Sequence, residues 1–378
     1  MNKKVAIVGC YQTKYCNQDD EKSLTDLVFE CSKGLLNKYK LNRDQVDQLI
    51  IGADDLLDGR SISSMVTVGP AGGHHKEWMK VGGDGSFAFA YAYLGIAAGL
   101  SDLTMIVSWS KVSEVPYYNV TNLTYDPFYH RPFMDELTSK AIQAQAYVRK
   151  YNIADKHAAA ITVKNRSNGC RNPYAHLRSE VTINDVLSSG ILADPIRKLD
   201  NSTLSEGACA ILIASESKAK EFSAAAWIRG ISWDTGSYYI GDGDMSDLGS
   251  LRRAAGKAYK MAGISNPIEE IDVAEICDIT SYHELMEYEA LELCEKGESG
   301  RLIEEGHTRL DGKLPVNPSG GLISSNPGCA AGVARIAEAY LQISGNAEGR
   351  QISNVDIALA HGIQGNACQT NCVVVISK

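Results

Sequence analysis

The chain has 378 residues, 44% of them hydrophobic, and a formal net charge of −9. That length can bury a large core divided between two subdomains, and an acidic balance with no basic run excludes nucleic acid as the main partner. No stretch approaches the ~18 to 20 apolar residues of a membrane span, and the apolar run in MNKKVAIVGC is too short for a signal peptide.

These features lead us to expect a cytoplasmic protein with no membrane association. Ten cysteines without a CxxC pair fit a reducing compartment better than a disulfide framework. The adjacent His74 and His75 point apart in a strand and have no acidic or Cys partner at ligand spacing, so no metal is expected.

In chain order, KVAIVG (4–9) reads as a strand, SLTDLVFECSKGLLNKYK (23–40) as a helix capped by Ser23, and VDQLIIGA (46–53) as a second strand. KVGGDGSFAFAYAYLGIAAGLSD (80–102) reads as a strand end, a glycine-rich turn and an apolar helix, with DLTMIVSWS (102–110) as the next strand. Residues 115–195 are polar and rich in Tyr, Pro and Asn, with helices such as LTSKAIQAQAYVRKY, and suggest an inserted loop domain that walls a binding site. Its stretch VPYYNVTNLTYDPFYHRPF suits either a bulky or aromatic acyl chain or packing at a dimer contact. GACAILIAS (207–215) closes the first series.

A second series follows: AWIRGIS (226–232), the helix LRRAAGKAYKMAG, IDVAEICD (271–278), the helix VARIAEAYLQISG, VDIALAHG (355–362) and CVVVISK (372–378). Strands alternating with helices predict an α/β fold with a mostly parallel, doubly covered sheet. VDQLIIGADD pairs with IDVAEICD, DLTMIVSWS with VDIALAHG, and EGACAILIASESK with GNACQTNCVVVISK. The pairing predicts two duplicated βαβαβαββ halves, residues 1–223 and 224–378.

Five segments carry a family resemblance in one order along the chain: AGLSDLTMIVSWSK, NRSNGCRNPYAHLRSEVTINDVL, ILADPIRKLDNSTLSEGACAILIASE, IDVAEICDITSYHELMEYEALELCEKGESGRLIEEG and GKLPVNPSGGLISSNPGCAAG. Together they resemble the thiolases, most nearly the branch of sterol-carrier-protein-x-like thiolases and of thiolase subunits that pair with a small OB-fold and zinc-ribbon protein. The resemblance implies a five-layered αβαβα fold and a homodimer core. It also implies acyl-CoA or coenzyme A as ligand, coenzyme A acting as substrate with no covalently bound cofactor, and Claisen condensation or its reverse.

That chemistry needs a thiolate to attack the thioester, a base at the α-carbon, and donors for the enolate and oxyanion. Counted back from Gly99, the nucleophile's place falls on Gly82, within about two residues, and no cysteine lies between 32 and 169. Cys277-Asp278 stands where relatives have His-Asp, with Ile279 next; Ser325-Asn326-Pro327 stands for Gly-His-Pro; the last loop keeps His361 and adds Cys368. The resemblance therefore nominates Cys277, His361, Cys368 and Asn326 as catalytic candidates. As substrate-binding candidates it nominates Gly82, Asp84 and Ser86 at a helix N-terminus, and Asn317, Gly320 and Gly321 in the best-preserved loop.

Each candidate also has a plain packing role, as a tight turn or a buried thiol. Three functions stay open. The first and favoured is a thiolase-like subunit acting on acyl-CoA thioesters in a hetero-oligomer. The others are a lyase performing retro-aldol cleavage without an acyl-enzyme, and a non-catalytic subunit partnering a cysteine-bearing homologue.

Overall fold

Runs of β-branched and small apolar residues form strands because they fill a pleated surface buried on both faces. In the computed structural model, which describes residues 4–126, 128 and 134–378, these runs join into one nine-stranded sheet. The first half supplies β1 (Val5–Gln12), β2 (Gln48–Gly52), β3 (Glu77–Val81), β4 (Leu103–Ser110) and β5 (Gly207–Ser215). The second supplies β6 (Ala226–Thr235), β7 (Val273–Glu275), β8 (Ile357–Gln364) and β9 (Thr370–Ser377).

Their order is β3-β2-β4-β5-β1-β6-β9-β8-β7. Read outward from the centre, β1-β5-β4-β2 repeats as β6-β9-β8-β7, so all three sequence pairings occupy equivalent places. The halves meet where Ala6 pairs with Trp227 and Ile7 with Ala226. The second half's counterpart of β3 is reduced to a bridge between Ala274 and Val316.

The sheet is mixed, not mostly parallel. Only β2–β3, β2–β4 and β7–β8 run parallel, because β5 and β9 are each antiparallel to both neighbours. The turn 365–369 between β8 and β9 is far shorter than the roughly dozen residues a parallel crossover needs.

Seven helices matter here: α1 (Leu24–Lys38), α2 (Gly85–Ala97), α3 (Glu136–Tyr151), α4 (Asp155–Arg171), α5 (Gly249–Ala262), α6 (Ser281–Ala290) and α7 (Ala331–Ile343). Ser23 and Asp26 close a reciprocal capping box on α1. The central layer is α2 with α7, whose apolar side chains meet Ile50, Ile106 and Ile211 of one half and Ala358 and Val374 of the other. Outside, α1 sets Leu24, Val28 and Leu35 against Leu49 and Val107, and α5 and α6 set Leu251, Ala258 and Leu285 against Leu359 and Val373. The result is an αβαβα stack of five layers.

Strand β7 is shorter than IDVAEICD predicts. Side chains take over its ladder: Asn317 Oδ1 accepts from Ile276 N at 2.8 Å, and Cys277 N donates to His361 Nδ1 at 3.4 Å. Between β4 and β5 lie α3, α4 and a small hairpin of Ile191–Ala193 with Ile196–Arg197. Residues 127 and 129–133 of the aromatic stretch lie outside the described residues.

Candidate active site

A cavity of about 210 Å³ opens at the carboxyl ends of β2 and β8, the edge at which α/β sheets bind ligands. The turn before α2 contributes Gly83 and Asp84, and the turn after β8 contributes Gly365 and Cys368. Asn326 and Cys329 come from the loop before α7, while Tyr117 and Val120 join Glu136 and Lys140 of α3 on the facing wall.

Asp84 is the N-cap of α2, a position where a carboxylate satisfies otherwise unpaired helix N–H groups. Its Oδ1 accepts from Ser86 N at 2.9 Å and from Ser86 Oγ at 2.5 Å, and its Oδ2 accepts from Gly332 N at 2.8 Å. One side chain thus ties the starts of α2 and α7 together. Burial pushes its carboxyl up to about 6, although these hydrogen bonds pull the other way.

Gly83 adopts φ +96°, and a Cβ there would meet Gln364 Oε1 at 2.0 Å. The left-handed backbone favours glycine, and any side chain here would also displace the Gln364 amide from its place. Gln364 lines the cavity; its Oε1 accepts from Asp84 N at 2.9 Å, and its Nε2 makes no hydrogen bond among the described residues.

Of the residues singled out in the sequence, Asp84, Asn326 and Cys368 come together on this cavity. Asn326 accepts from Gly328 N at 3.2 Å and donates one N–H to Ser202 Oγ at 3.0 Å. Cys368 sits at φ +56° directly after Ala367 at φ +48°, and burial pushes its thiol well up. Gly82 is exposed beside the turn, and Ser86 is buried behind Asp84.

Cys277 and His361 lie deeper, fully buried. The Cys277 thiol donates to His361 O at 3.1 Å, and His361 Nε2 donates to Asn371 Oδ1 at 2.9 Å if Nδ1 accepts from Cys277 N. Burial pushes His361 down to about 4 and the Cys277 thiol well up. Leu322, Ala331, Ile279 and Ile363 pack against Cys277 and also line the cavity, so an apolar wall stands between them.

The loop carrying Asn317, Gly320 and Gly321 wraps the buried Asp278 rather than the cavity. Asn317 donates to Glu284 Oε2 at 2.9 Å, and Asp278 accepts from Leu322 N at 2.5 Å and Ile323 N at 3.2 Å. A Cβ on Gly320 would lie 2.6 Å from Gly169 Cα and one on Gly321 2.2 Å from Asp278 Oδ1. Both glycines thus serve close packing, at φ +95° and +62°. Burial, with Glu284 beside it, raises Asp278 well above the ordinary carboxyl range.

Sequence reasoning passed over Gln364, Cys329 and the Glu136–Lys140 pair. Strand periodicity offered one clue, since residues three apart on β8 face opposite ways and Gln364 ends that strand at its carboxyl edge. Glu136 and Lys140 are an ordinary helical i,i+4 ion pair in sequence, and nothing local marks them as cavity-lining. The Cys329 thiol is pushed well up by burial and by Asp58 and Asp54. Among the described residues no group of three or more His, Cys, Asp or Glu is placed to hold a metal, and no helix is long and apolar enough to cross a membrane.

Comparison with known proteins places this geometry. Residues 237–378 match the family model described as thiolase C-terminal domain-like. An acetyl-CoA acetyltransferase of Methanothermobacter thermautotrophicus is 28% identical over 373 residues, covering 96% of each chain. The benzoylsuccinyl-CoA thiolase subunit BbsB of Thauera aromatica is 31% identical over 233 residues, 61% of this chain and 60% of that one.

The solved structure titled Ltp2-ChsH2(DUF35) aldolase shares the fold with a TM-score of 0.82 at 22% identity, over 99% of this chain and 97% of that one. Along its whole length the chain is similar to the thiolases in sequence and in layered fold.

Proposed function

We propose that this chain makes or breaks a carbon–carbon bond in an acyl-CoA thioester by an aldol or retro-aldol course, without an acyl-enzyme, in complex with a small DUF35-type partner. One observation carries the reading. The cavity offers a carboxyl poised near pH 6 at Asp84, whereas both thiols on its wall, Cys329 and Cys368, are pushed up by burial.

The acyl-enzyme of thiolase-type chemistry needs a cysteine thiolate. Retro-aldol cleavage needs only a base for the β-hydroxyl and donors for the enolate. Asp84 uses three of a carboxylate's roughly four acceptor positions. The remaining one takes the β-hydroxyl proton, the Cα–Cβ bond breaks to leave a carbonyl fragment and a thioester enolate, and that proton returns to Cα. Gln364 Nε2 and the second N–H of Asn326 are the candidate donors to the enolate oxygen. No free coenzyme A is consumed.

A partner of this kind is supported by the structural neighbour, the Ltp2-ChsH2(DUF35) aldolase. A homodimer core is supported by the edge strand β3, which exposes Trp78 and Met79, beside Tyr91 and Leu94 exposed on α2. A second reading, thiolysis with the cysteine supplied by another thiolase-like chain, draws support from the acetyltransferase name of the relative matched over 96% of the chain.

The two readings separate in one assay. The chain is purified with its partner and given 3-hydroxyacyl-CoA. Cleavage without added coenzyme A supports the lyase, and cleavage of a β-ketoacyl-CoA that requires coenzyme A and a second homologue supports the alternative.

A further inference from the structure

The cavity wall contributed by α3 carries a feature that the proposed chemistry does not use. Lys140 is nearly buried and donates to Glu136 Oε1 one turn earlier, and among the described residues it makes no other hydrogen bond. An ammonium has three N–H donors, so two remain unused in a wall of the cavity. Buried donors left without acceptors are costly, which favours a ligand that brings one.

The charge of Lys140 is already balanced by Glu136, and Asp54 and Asp84 line the same space. A neutral oxygen fits this surrounding better than a further carboxylate. The cavity of about 210 Å³ is smaller than an ordinary ligand pocket of about 300 to 1,000 Å³. An acyl chain whose thioester lies against Gln364 and Asn326 therefore spans only a few carbons before it meets the α3 wall.

We infer that Lys140 is a specificity-determining residue that reads an oxygen, hydroxyl or keto, on the β-carbon of a short acyl thioester. The inference rests on the reading of the cavity as a thioester site, but it holds for either course of the reaction. It assigns to Lys140 a choice of substrate and no transfer of a proton.

The test is calorimetric titration of the full chain with 3-hydroxybutyryl-CoA, acetoacetyl-CoA, butyryl-CoA and glutaryl-CoA. Two variants are titrated alongside: Lys140→Met, and Glu136→Gln/Lys140→Met, which leaves no unpaired carboxylate behind. Circular dichroism verifies that each is folded. The expected result is that the wild type binds both β-oxygenated esters about tenfold or more tightly than butyryl-CoA, and that this ratio falls to within about twofold of one in the folded double variant.

Equal affinities in the wild type, a ratio that survives the double variant, or glutaryl-CoA as the tightest ligand would each overturn the assignment. If the wild type binds none of the esters, the thioester site itself falls, and Lys140's role with it.

Discussion

Replacing Asp84 by Asn separates a structural cap from a working carboxyl, because the two roles predict opposite behaviour. Burial holds the folded carboxyl at about 6, against about 4 in an unfolded chain. A folded value above the unfolded one means that the folded chain holds the proton more tightly. The contribution to stability is fully present below about pH 4 and is lost as the pH rises through about 6.

A difference of about two pH units corresponds to roughly 3 kcal/mol. Asn keeps an acceptor for Ser86 N, although its amide N–H₂ can face Gly332 N–H, at a cost of about 1 to 2 kcal/mol at every pH. Relative to wild type, Asp84→Asn should therefore gain roughly 3 kcal/mol between pH 4 and pH 7. Urea denaturation of both proteins across that range isolates this one carboxyl from all others.

The same variant should lose about 100-fold or more in kcat/KM, and the wild-type kcat/KM should rise with an apparent pKa near 6. A variant that gains stability at neutral pH and loses activity is the mark of a site held at some cost to the fold. A stability difference that stays flat with pH, or full activity in the variant, would refute the reasoning.

A Cβ on Gly362 would lie 2.1 Å from Ser86 Oγ, so Gly362→Ala should destabilise by about 2 to 3 kcal/mol. Gly256→Ala, at an exposed position of α5 with nothing within 4 Å, should gain up to about 1 kcal/mol, and chemical denaturation checks both. His361 is pushed down to about 4 by burial, so its contribution is present above an unfolded value near 6.5 and is lost as the pH falls through about 4. His361→Gln should flatten that acid limb relative to wild type. After incubation with acetyl-CoA, intact mass spectrometry should find no acyl adduct, because the cavity thiols Cys329 and Cys368 are pushed up by burial; a stable adduct on either would restore the acyl-enzyme.

The strands and their duplication were legible because each is a short apolar run, and the equivalent runs recur in the same order. Strand direction was not, since it depends on connection length in space: β9 returns through the turn 365–369, and β5 arrives from the long insertion. Asp84 stood out because glycines precede an apolar helix, and the structure puts it at the cavity.

Cys277 and His361 were singled out by position in a motif, and position does not say which way a side chain faces. Ile276 and Cys277 donate their backbone N–H groups to side chains rather than to a neighbouring strand, and Leu322 and Ile363 wall the pair off from the cavity. Gln364 and Lys140 were invisible for the reverse reason. Each is common in sequence and acquires meaning only when elements far apart in the chain converge.

The central claim is that the cavity cleaves a thioester's carbon chain without a thiol nucleophile in this chain. Its most direct test is product analysis of 3-hydroxyacyl-CoA incubated with the chain and its partner in the absence of coenzyme A. The account predicts equal amounts of a shortened acyl-CoA and a carbonyl compound, undiminished in Cys329→Ala and Cys368→Ala. A strict requirement for free coenzyme A, with an acyl group trapped on one of these cysteines, would contradict it.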